Sequence, residues 1–165
     1  LQIEGALNSL DRSITDYLID ISGGSLSEFE SGKHTILMDT VRDIERIGDH
    51  FENIVELIDY KISNKVIITD KAQEDLNNMF DLTMSTVKQA VKALDTNNRE
   101  EALAVVQKED QIDKMERSYR KKHIIRMNEG DCSVSAGIVF VDIISNLERI
   151  GDHAVNIAEA VLGDQ

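Results

Sequence analysis

The chain has 165 residues, enough for one domain with a sizeable core, and it contains neither proline nor tryptophan. Its 31 acidic and 18 basic residues give a net charge of −13, which disfavours nucleic acid and anionic lipid as partners and favours cations or basic proteins. Cys132 is the sole cysteine, which excludes an internal disulfide and indicates a reducing compartment, and no apolar run is long enough to span a membrane.

Two amphipathic segments open the chain. The first runs from about residue 1 to residue 21 and ends at Gly23 and Gly24, a pair that terminates helices. The second begins near Ser31 and continues to about Ile62, with apolar residues three and four apart, as on one face of a helix. Because Leu1 already lies inside a helical pattern, we expect the chain to be part of a longer protein.

Three further helices follow, each introduced by a residue or turn that favours a helix N-terminus. Their predicted spans are about 70–94 after Thr69 or Asp70, about 99–127, and about 133–162 after Ser133 or Ser135. The connecting loops are short, so successive helices should pack antiparallel. The sequence therefore predicts an all-α, antiparallel helical bundle.

An internal repeat organises this bundle. The segment Glu-Arg-Ile-Gly-Asp-His-Phe-Glu-Asn-Ile at 45–54 recurs at 148–157, with eight of ten positions identical. The first helix likewise resembles the fourth. We predict a single domain, 1–165, with a truncated first repeat at 1–64 and a complete second repeat at 70–163. Each repeat is a three-helix unit, and the first helix of the first unit is missing.

Acidic residues four apart on a helix lie on the same face. The repeat places Glu45 and Asp49 in this relation on one helix, and Glu148 and Asp152 on the other. Adjacent carboxylates repel each other unless a cation lies between them, and hard cations take oxygen ligands. The repeated motif therefore predicts metal binding, although such spacings also arise by chance on solvated faces of an acidic chain.

Other carboxylates and amides extend the candidate set on the same helices and their neighbours. The further predicted ligands are Glu109, Asp113, Asp39, Asp43 and Asp142, and the secondary candidates are Asn53, Asn156 and Glu4. Asn8 stands where the second repeat has Asp113, so the site on the fourth and fifth helices should be the more complete.

Two other features of the motif need an explanation. Gly48 and Gly151 fall at core positions, where glycine costs about 0.5–1 kcal/mol relative to alanine, so close helix packing or a nearby cluster should require them. His50 and His153 follow the aspartates by one residue, about 100° around the helix, and we expect them to serve in packing or hydrogen bonding.

The doubled Glu-Arg-Ile-Gly-Asp-His…Asn-Ile segment resembles the signature of the PhoU family. This resemblance implies a pair of three-helix bundles and a cofactor of iron or zinc, as a multinuclear cluster on the acidic motifs. It also implies a regulatory, non-enzymatic role in phosphate transport and homeostasis. The partners would be a membrane transporter domain or phosphate-signalling proteins, and assembly into a homo-oligomer stays open.

A finer resemblance concerns the segment Asn-Ile-Ala-Glu-Ala-Val-Leu-Gly at 156–163 and Asp-Tyr-Leu at 16–18. They are similar to the PhoU-like cytoplasmic domain of bacterial sodium/phosphate cotransporters, which implies a location at the inner face of the plasma membrane. The alternatives are a free-standing PhoU-type regulator, a metal-free helical scaffold or dimerisation module, and a metal-dependent phosphatase, for which no supporting His or Lys arrangement is visible.

Overall fold

The computed structural model describes residues 2–24 and 27–163, without the side chains of residues 2, 4, 28 and 29. Within these ranges the chain forms five α-helices and no strand, which confirms the predicted all-α class. None of the described helices contains a stretch that is both long and apolar enough to cross a membrane. The helices are α1 (Gln2–Ser22), α2 (Glu28–Ser63), α3 (Asp70–Thr96), α4 (Arg99–Asn128) and α5 (Val134–Leu162).

Side-chain caps set the beginnings of these helices. Thr69 caps α3 and Ser133 caps α5, as the sequence predicts. The start of α2 differs from the prediction, because Ser27 and Glu30 form a capping box one turn before Ser31. The Ser27 hydroxyl accepts from the Glu30 amide at 3.2 Å, and the Glu30 carboxylate accepts from the Ser27 amide at 2.8 Å. These reciprocal bonds satisfy two amides that a helix leaves unpaired.

The three helices of the second repeat form a compact bundle in which each contacts the other two. α2 packs along α5, and α1 packs on α2 alone among the described helices. α5 therefore lies at the centre of the molecule, in contact with α2, α3 and α4. Its apolar residues supply much of the core, and the fully buried ones include Ile144, Leu147, Ile150 and Ala154.

The α1–α2 pair reproduces the α4–α5 pair, and the two motif glycines show the common register. A Cβ atom on Gly48 would lie 2.5 Å from Leu7 Cδ1 of α1. A Cβ atom on Gly151 would lie 3.2 Å from Ile112 Cδ1 and 3.8 Å from Glu109 Cγ of α4. Each glycine thus admits a branched side chain of the neighbouring helix, so close packing explains both residues. At Gly151 the same close approach brings α4 and its acids against α5.

Candidate cation site between the fourth and fifth helices

Four of the predicted ligands come together on α4 and α5. Glu109 and Asp113 lie one turn apart on α4, and Glu148 and Asp152 lie one turn apart on α5. One carboxylate oxygen from each side chain lies within 4.8 Å of those of the other three. Asp152 is exposed and the other three are half-buried, so the group lies at the surface of the bundle with one side open to solvent. The sequence-based prediction that these four residues share one site matches this geometry.

The two glutamates of the cluster have raised pKa values. The pKa of Glu109 is raised from 4.5 to about 8, and burial is the largest cause. Hydrogen bonds with Asp113 and Asp152, and the negative charges of these two residues, are the other causes of the increase. The pKa of Glu148 is raised to about 8 by burial and then by the same two aspartates. Without a cation, the cluster therefore keeps protons at a higher pH than isolated carboxylates do. A divalent cation would replace these protons and relieve the repulsion among the four groups.

The donor set fits a hard cation. All four groups are carboxylates, and Asp113 Oδ1 is buried without a hydrogen-bond partner among the described residues. A buried carboxylate oxygen that lacks a donor is costly unless a proton or a cation satisfies it. Oxygen-only ligands suit magnesium, calcium or manganese, whereas zinc sites usually include nitrogen or sulfur ligands. The residues present therefore fit an oxygen-preferring divalent ion.

The matching positions of the first repeat do not form a similar group among the described side chains. Glu45 and Asp49 are half-buried on α2, but the neighbouring position on α1 is the amide Asn8. The side chain of Glu4, a secondary candidate, lies outside the described residues. Metal binding by Glu45 and Asp49 remains a prediction.

Asp43 lies away from the acidic cluster, in the seam between α2 and α5. It is 7% exposed and accepts hydrogen bonds from His153 Nδ1 at 2.9 Å and from Asn156 Nδ2 at 3.1 Å. These two donors belong to α5, so the contact joins the two repeats. Asp43, a predicted ligand, and Asn156, a secondary candidate, thus hold α2 against α5, and metal binding by either residue remains a prediction.

The second half of the seam repeats the first around a local two-fold axis. Asn146, which corresponds to Asp43, accepts hydrogen bonds from His50 Nδ1 at 3.0 Å and from Asn53 Nδ2 at 3.2 Å. The rings of His50 and His153 stack between the two halves, with centroids 5.4 Å apart. Asn53 therefore also serves in interhelical hydrogen bonding instead of joining the acids. Both histidines have the packing and hydrogen-bonding role that the sequence predicts.

The remaining two predicted ligands are exposed and lie outside the four-residue group. Asp39 lies 3.9 Å from the Arg42 guanidinium in an exposed ion pair. The backbone carbonyl of Asp142 accepts from Asn146 Nδ2 at 2.8 Å, and its side chain is exposed. Asp142 is not brought to the cluster, so the structure gives no support to its inclusion in one site with Glu148. Metal binding by Asp39, which lies on α2, remains a prediction.

Fold and site together define a class: an antiparallel helical-bundle domain with a carboxylate site beside a seam between two internal repeats. The family model described as the PhoU domain matches residues 1–58 and 76–161. The chain therefore belongs to the PhoU domain family.

Comparisons with individual proteins agree with this assignment. The chain is 34% identical over 120 residues to the phosphate-specific transport system accessory protein PhoU homolog 1 of Thermotoga maritima, a match that covers 73% of this chain and 51% of that protein. It is 25% identical over 166 residues to a PhoU homolog of Pseudomonas putida, covering 98% of this chain and 62% of that protein. The chain thus spans about half to three-fifths of the length of these relatives.

The fold is similar to that of solved PhoU structures. The crystal structure of PhoU from Pseudomonas aeruginosa aligns with a TM-score of 0.92 at 22% identity, over 99% of this chain and 78% of that chain. The phosphate transport system regulatory protein PhoU from Streptococcus pneumoniae aligns with a TM-score of 0.84 at 23% identity, over 98% of this chain and 74% of that one. At these identities the likeness establishes the helical-bundle architecture.

Proposed function

We propose that this domain regulates phosphate transport and that its α4–α5 cluster binds a divalent cation. The regulatory part rests on relatives that are named as accessory proteins of a phosphate-specific transport system. The cation part rests on one observation: four carboxylates from two helices converge within 4.8 Å. No described residue in the cluster is basic, so the charge that would balance these acids must come from protons or from a bound ion.

The bound ion would act on structure and on surface charge. It would join α4 to α5 through carboxylates of both helices and would replace the repulsion of four acids with attraction. It would also change the charge that this face presents to a transporter or a signalling partner. The oxygen-only donor set suits manganese, magnesium or calcium by its chemistry, and the family resemblance adds iron and zinc. Carboxylates that bridge two ions would allow a multinuclear cluster at the open side.

The test is metal binding by wild-type protein and two matched variants. Chelator-treated protein is reconstituted separately with Fe(II) under anaerobic conditions, Mn(II) and Zn(II), then desalted and assayed by elemental analysis. The Glu148→Gln/Asp152→Asn variant should lose most of the bound ion and the rise in melting temperature that added metal causes in the wild type. The Glu45→Gln/Asp49→Asn variant makes the same change in the first repeat and should keep at least about half of the ion.

A metal-free scaffold makes the opposite prediction for the same protein. In that case the wild type retains no ion, and Glu148→Gln/Asp152→Asn is equally stable or slightly more stable, because like-charge repulsion is relieved. Wild-type protein that binds less than one ion per two chains under all three conditions would contradict the cation proposal. A phosphate-ester assay of the Fe(II)- and Mn(II)-loaded protein tests the phosphatase alternative.

Two arrangements in the cell fit a regulatory domain of this kind. The relatives' names favour a separate accessory protein that contacts a transporter. The similarity of segments 16–18 and 156–163 to sodium/phosphate cotransporters favours a domain attached to the transporter itself, at the inner face of the membrane. The coding sequence upstream of Leu1 distinguishes them, because only the attached form requires several membrane-spanning helices in the same reading frame.

A further inference from the structure

Basic residues are concentrated in one part of this acidic protein. Residues 114–126 of α4 contain six of the 18 Lys and Arg residues and only one acid, Glu116. The rest of the chain carries 30 acids against 12 basic residues, so the charge of this segment is opposite to that of the molecule. Such a local reversal of charge defines a surface that attracts anions even though the whole protein repels them.

Three of the six basic residues are used within the fold. Lys114 pairs with Asp110 at 2.6 Å, and Arg120 pairs with Glu116 at 2.6 Å. Arg126 lies 3.8 Å from Asp75 and 5.2 Å from the centroid of the Phe140 ring. The other three are Arg117, Lys121 and Lys122, which are exposed and pair with no carboxylate among the described residues. Lys122 Nζ also lies 5.4 Å from the centroid of the Tyr119 ring, a contact that leaves its charge unneutralised, so all three side chains can meet an external anion.

Lys121 and Lys122 lie in the C-terminal third of α4, towards the end of the bundle where two loops meet, and Arg117 lies one turn further from that end. Because neighbouring helices are antiparallel, the α2–α3 loop and the α4–α5 loop lie at the same end. A side-chain contact shows this directly, since Arg126 of α4 lies against Asp75 of α3. An open depression of about 530 Å³ at this end is lined by three cations, Lys71, Lys122 and Arg126, together with two acids, Glu129 and Asp131.

Large aliphatic side chains are exposed at the same end. Ile67, in the α2–α3 loop, is 83% exposed and lies two residues from Lys65, which is also exposed. Single exposed isoleucines are common on soluble proteins, but here several exposed aliphatic residues belong to the helix ends and loops at this end of the bundle. The other exposed aliphatic residues at this end are Ile62, Ile124, Ile125, Val134 and Ile138. We call these five residues, together with Ile67, Lys65, Lys121 and Lys122, the loop-end patch.

We propose that the loop-end patch binds the surface of an anionic lipid bilayer. Exposed aliphatic side chains at this end can enter the boundary of the acyl region while lysines at the same end meet lipid phosphates. The depression beside the patch is lined mainly by charged groups, so it does not offer the apolar groove that an amphipathic partner helix requires. The net charge of −13 opposes approach to a negative surface, so binding should be orientation-specific, reversible and sensitive to salt.

The test is flotation of the chain with lipid vesicles at low ionic strength. One population contains phosphatidylcholine alone, and the other contains equal parts of phosphatidylcholine and phosphatidylglycerol. Wild-type protein should float with the anionic vesicles only. Lys121→Glu/Lys122→Glu should reduce the partition coefficient more than about tenfold, since each cation near the surface contributes about fivefold. Ile67→Ser keeps the charge and should reduce partition several-fold, which separates apolar insertion from charge attraction.

A matched control changes two exposed lysines elsewhere. Lys33 begins the second turn of α2 near the opposite end of the bundle, and Lys88 lies well along α3 from the loop end. Lys33→Glu/Lys88→Glu alters the net charge by the same amount as the patch variant and should retain at least half of the binding. Circular dichroism before flotation establishes that each variant is folded.

Two outcomes overturn the proposal. The wild type can stay in the aqueous fraction with both vesicle populations, or the two double-lysine variants can lose binding equally. In the first case, self-association of the wild type in sedimentation velocity, with Ile67→Ser monomeric, would assign the patch to a second copy of the chain. The proposal is independent of the cation site, so Glu148→Gln/Asp152→Asn should float as well as the wild type.

Discussion

The two repeats carry the same helical motif but differ in how it is supported. In the second repeat α3 packs against both α4 and α5, and in the first no described helix takes the corresponding place against α1 and α2. The consequence is visible in burial: Val55 is 50% exposed and its counterpart Ala158 is 0% exposed, while Ile58 is 42% exposed and Val161 4%. A short motif therefore does not determine a site by itself, because the packing behind it decides how firmly the acids are held.

The acidic residues of the two repeats also differ in how they are arranged. In the second repeat the acids of α4 and α5 converge, and burial raises the pKa values of both glutamates. In the first repeat an amide, Asn8, replaces the acid that corresponds to Asp113. Among the described residues, the unit that lacks a helix against its motif pair is thus also the unit with one carboxylate fewer.

The largest expected effect is the loss of stability when the buried isoleucine of each repeated motif is replaced by alanine. Ile150 is 0% exposed in the second repeat, and Ile47 is 7% exposed at the same position of the first. Ile150→Ala should lower the free energy of unfolding by about 3 kcal/mol, and Ile47→Ala by about 1–2 kcal/mol, because a fully enclosed cavity relaxes less. Urea denaturation measures both values. Equal losses would contradict the view that α3 makes the second repeat the better packed one.

A smaller effect is expected in the seam between the repeats, where Asp43 and Asn146 occupy matching positions. Asp43→Ala should cost about 2 kcal/mol and Asn146→Ala about 1 kcal/mol, because hydrogen bonds to a charged acceptor are stronger than those to an amide. Thermal unfolding together with urea denaturation measures the difference. If Asn146→Ala and Asp43→Ala lower the free energy of unfolding by the same amount, the charge of Asp43 contributes nothing to the stability of the seam.

The smallest effect is the pH dependence of the metal-free protein. Glu109 and Glu148 have folded-state pKa values of about 8, above the ordinary value of 4.5, so the folded chain binds more protons than the unfolded chain between these limits. Their contribution to stability is fully present below about pH 4.5 and is lost as the pH rises towards 8. We expect a loss of about 1–2 kcal/mol, less than the full shift implies, because both side chains are partly exposed.

Two variants isolate this contribution. Urea denaturation in the presence of a chelator, at several pH values between about 5 and 8, should show a smaller decline for Glu109→Gln/Glu148→Gln than for the wild type. Glu45→Gln makes the corresponding change in the first repeat and should keep the wild-type decline. Parallel curves for all three proteins would mean that the α4–α5 cluster does not retain protons above the ordinary range.

Much of the fold follows from the sequence because periodicity and caps act locally. The apolar spacing predicted all five helices, and Thr69 and Ser133 predicted the beginnings of two of them. The start of α2 was wrong because the prediction relied on the apolar pattern, whereas the Ser27–Glu30 pair determines the boundary. That pair is visible in the sequence and could have been used.

The site was predictable only in part. Comparison of the two repeats placed Glu109 and Asp113 opposite Glu148 and Asp152, and the structure brings these four together. Asn156 was grouped with them because residues four apart share a face, but each such step rotates by about 40°. Over eight residues the rotation turns Asn156 away from Glu148 and towards α2. The partner of Asp43 could not be found from spacing, because it depends on the register of two helices distant in sequence.

The position of α5 between two neighbours links the acidic cluster to the seam. Asp152 faces the acids of α4, while the adjacent residue His153 donates to Asp43 of α2. A small axial rotation of α5 would therefore move both side chains together, changing the width of the acidic cluster and the alignment of the stacked imidazoles in one motion. Through such a rotation, a change of charge on one flank of this helix would alter the angle at which the other flank holds the α1–α2 hairpin.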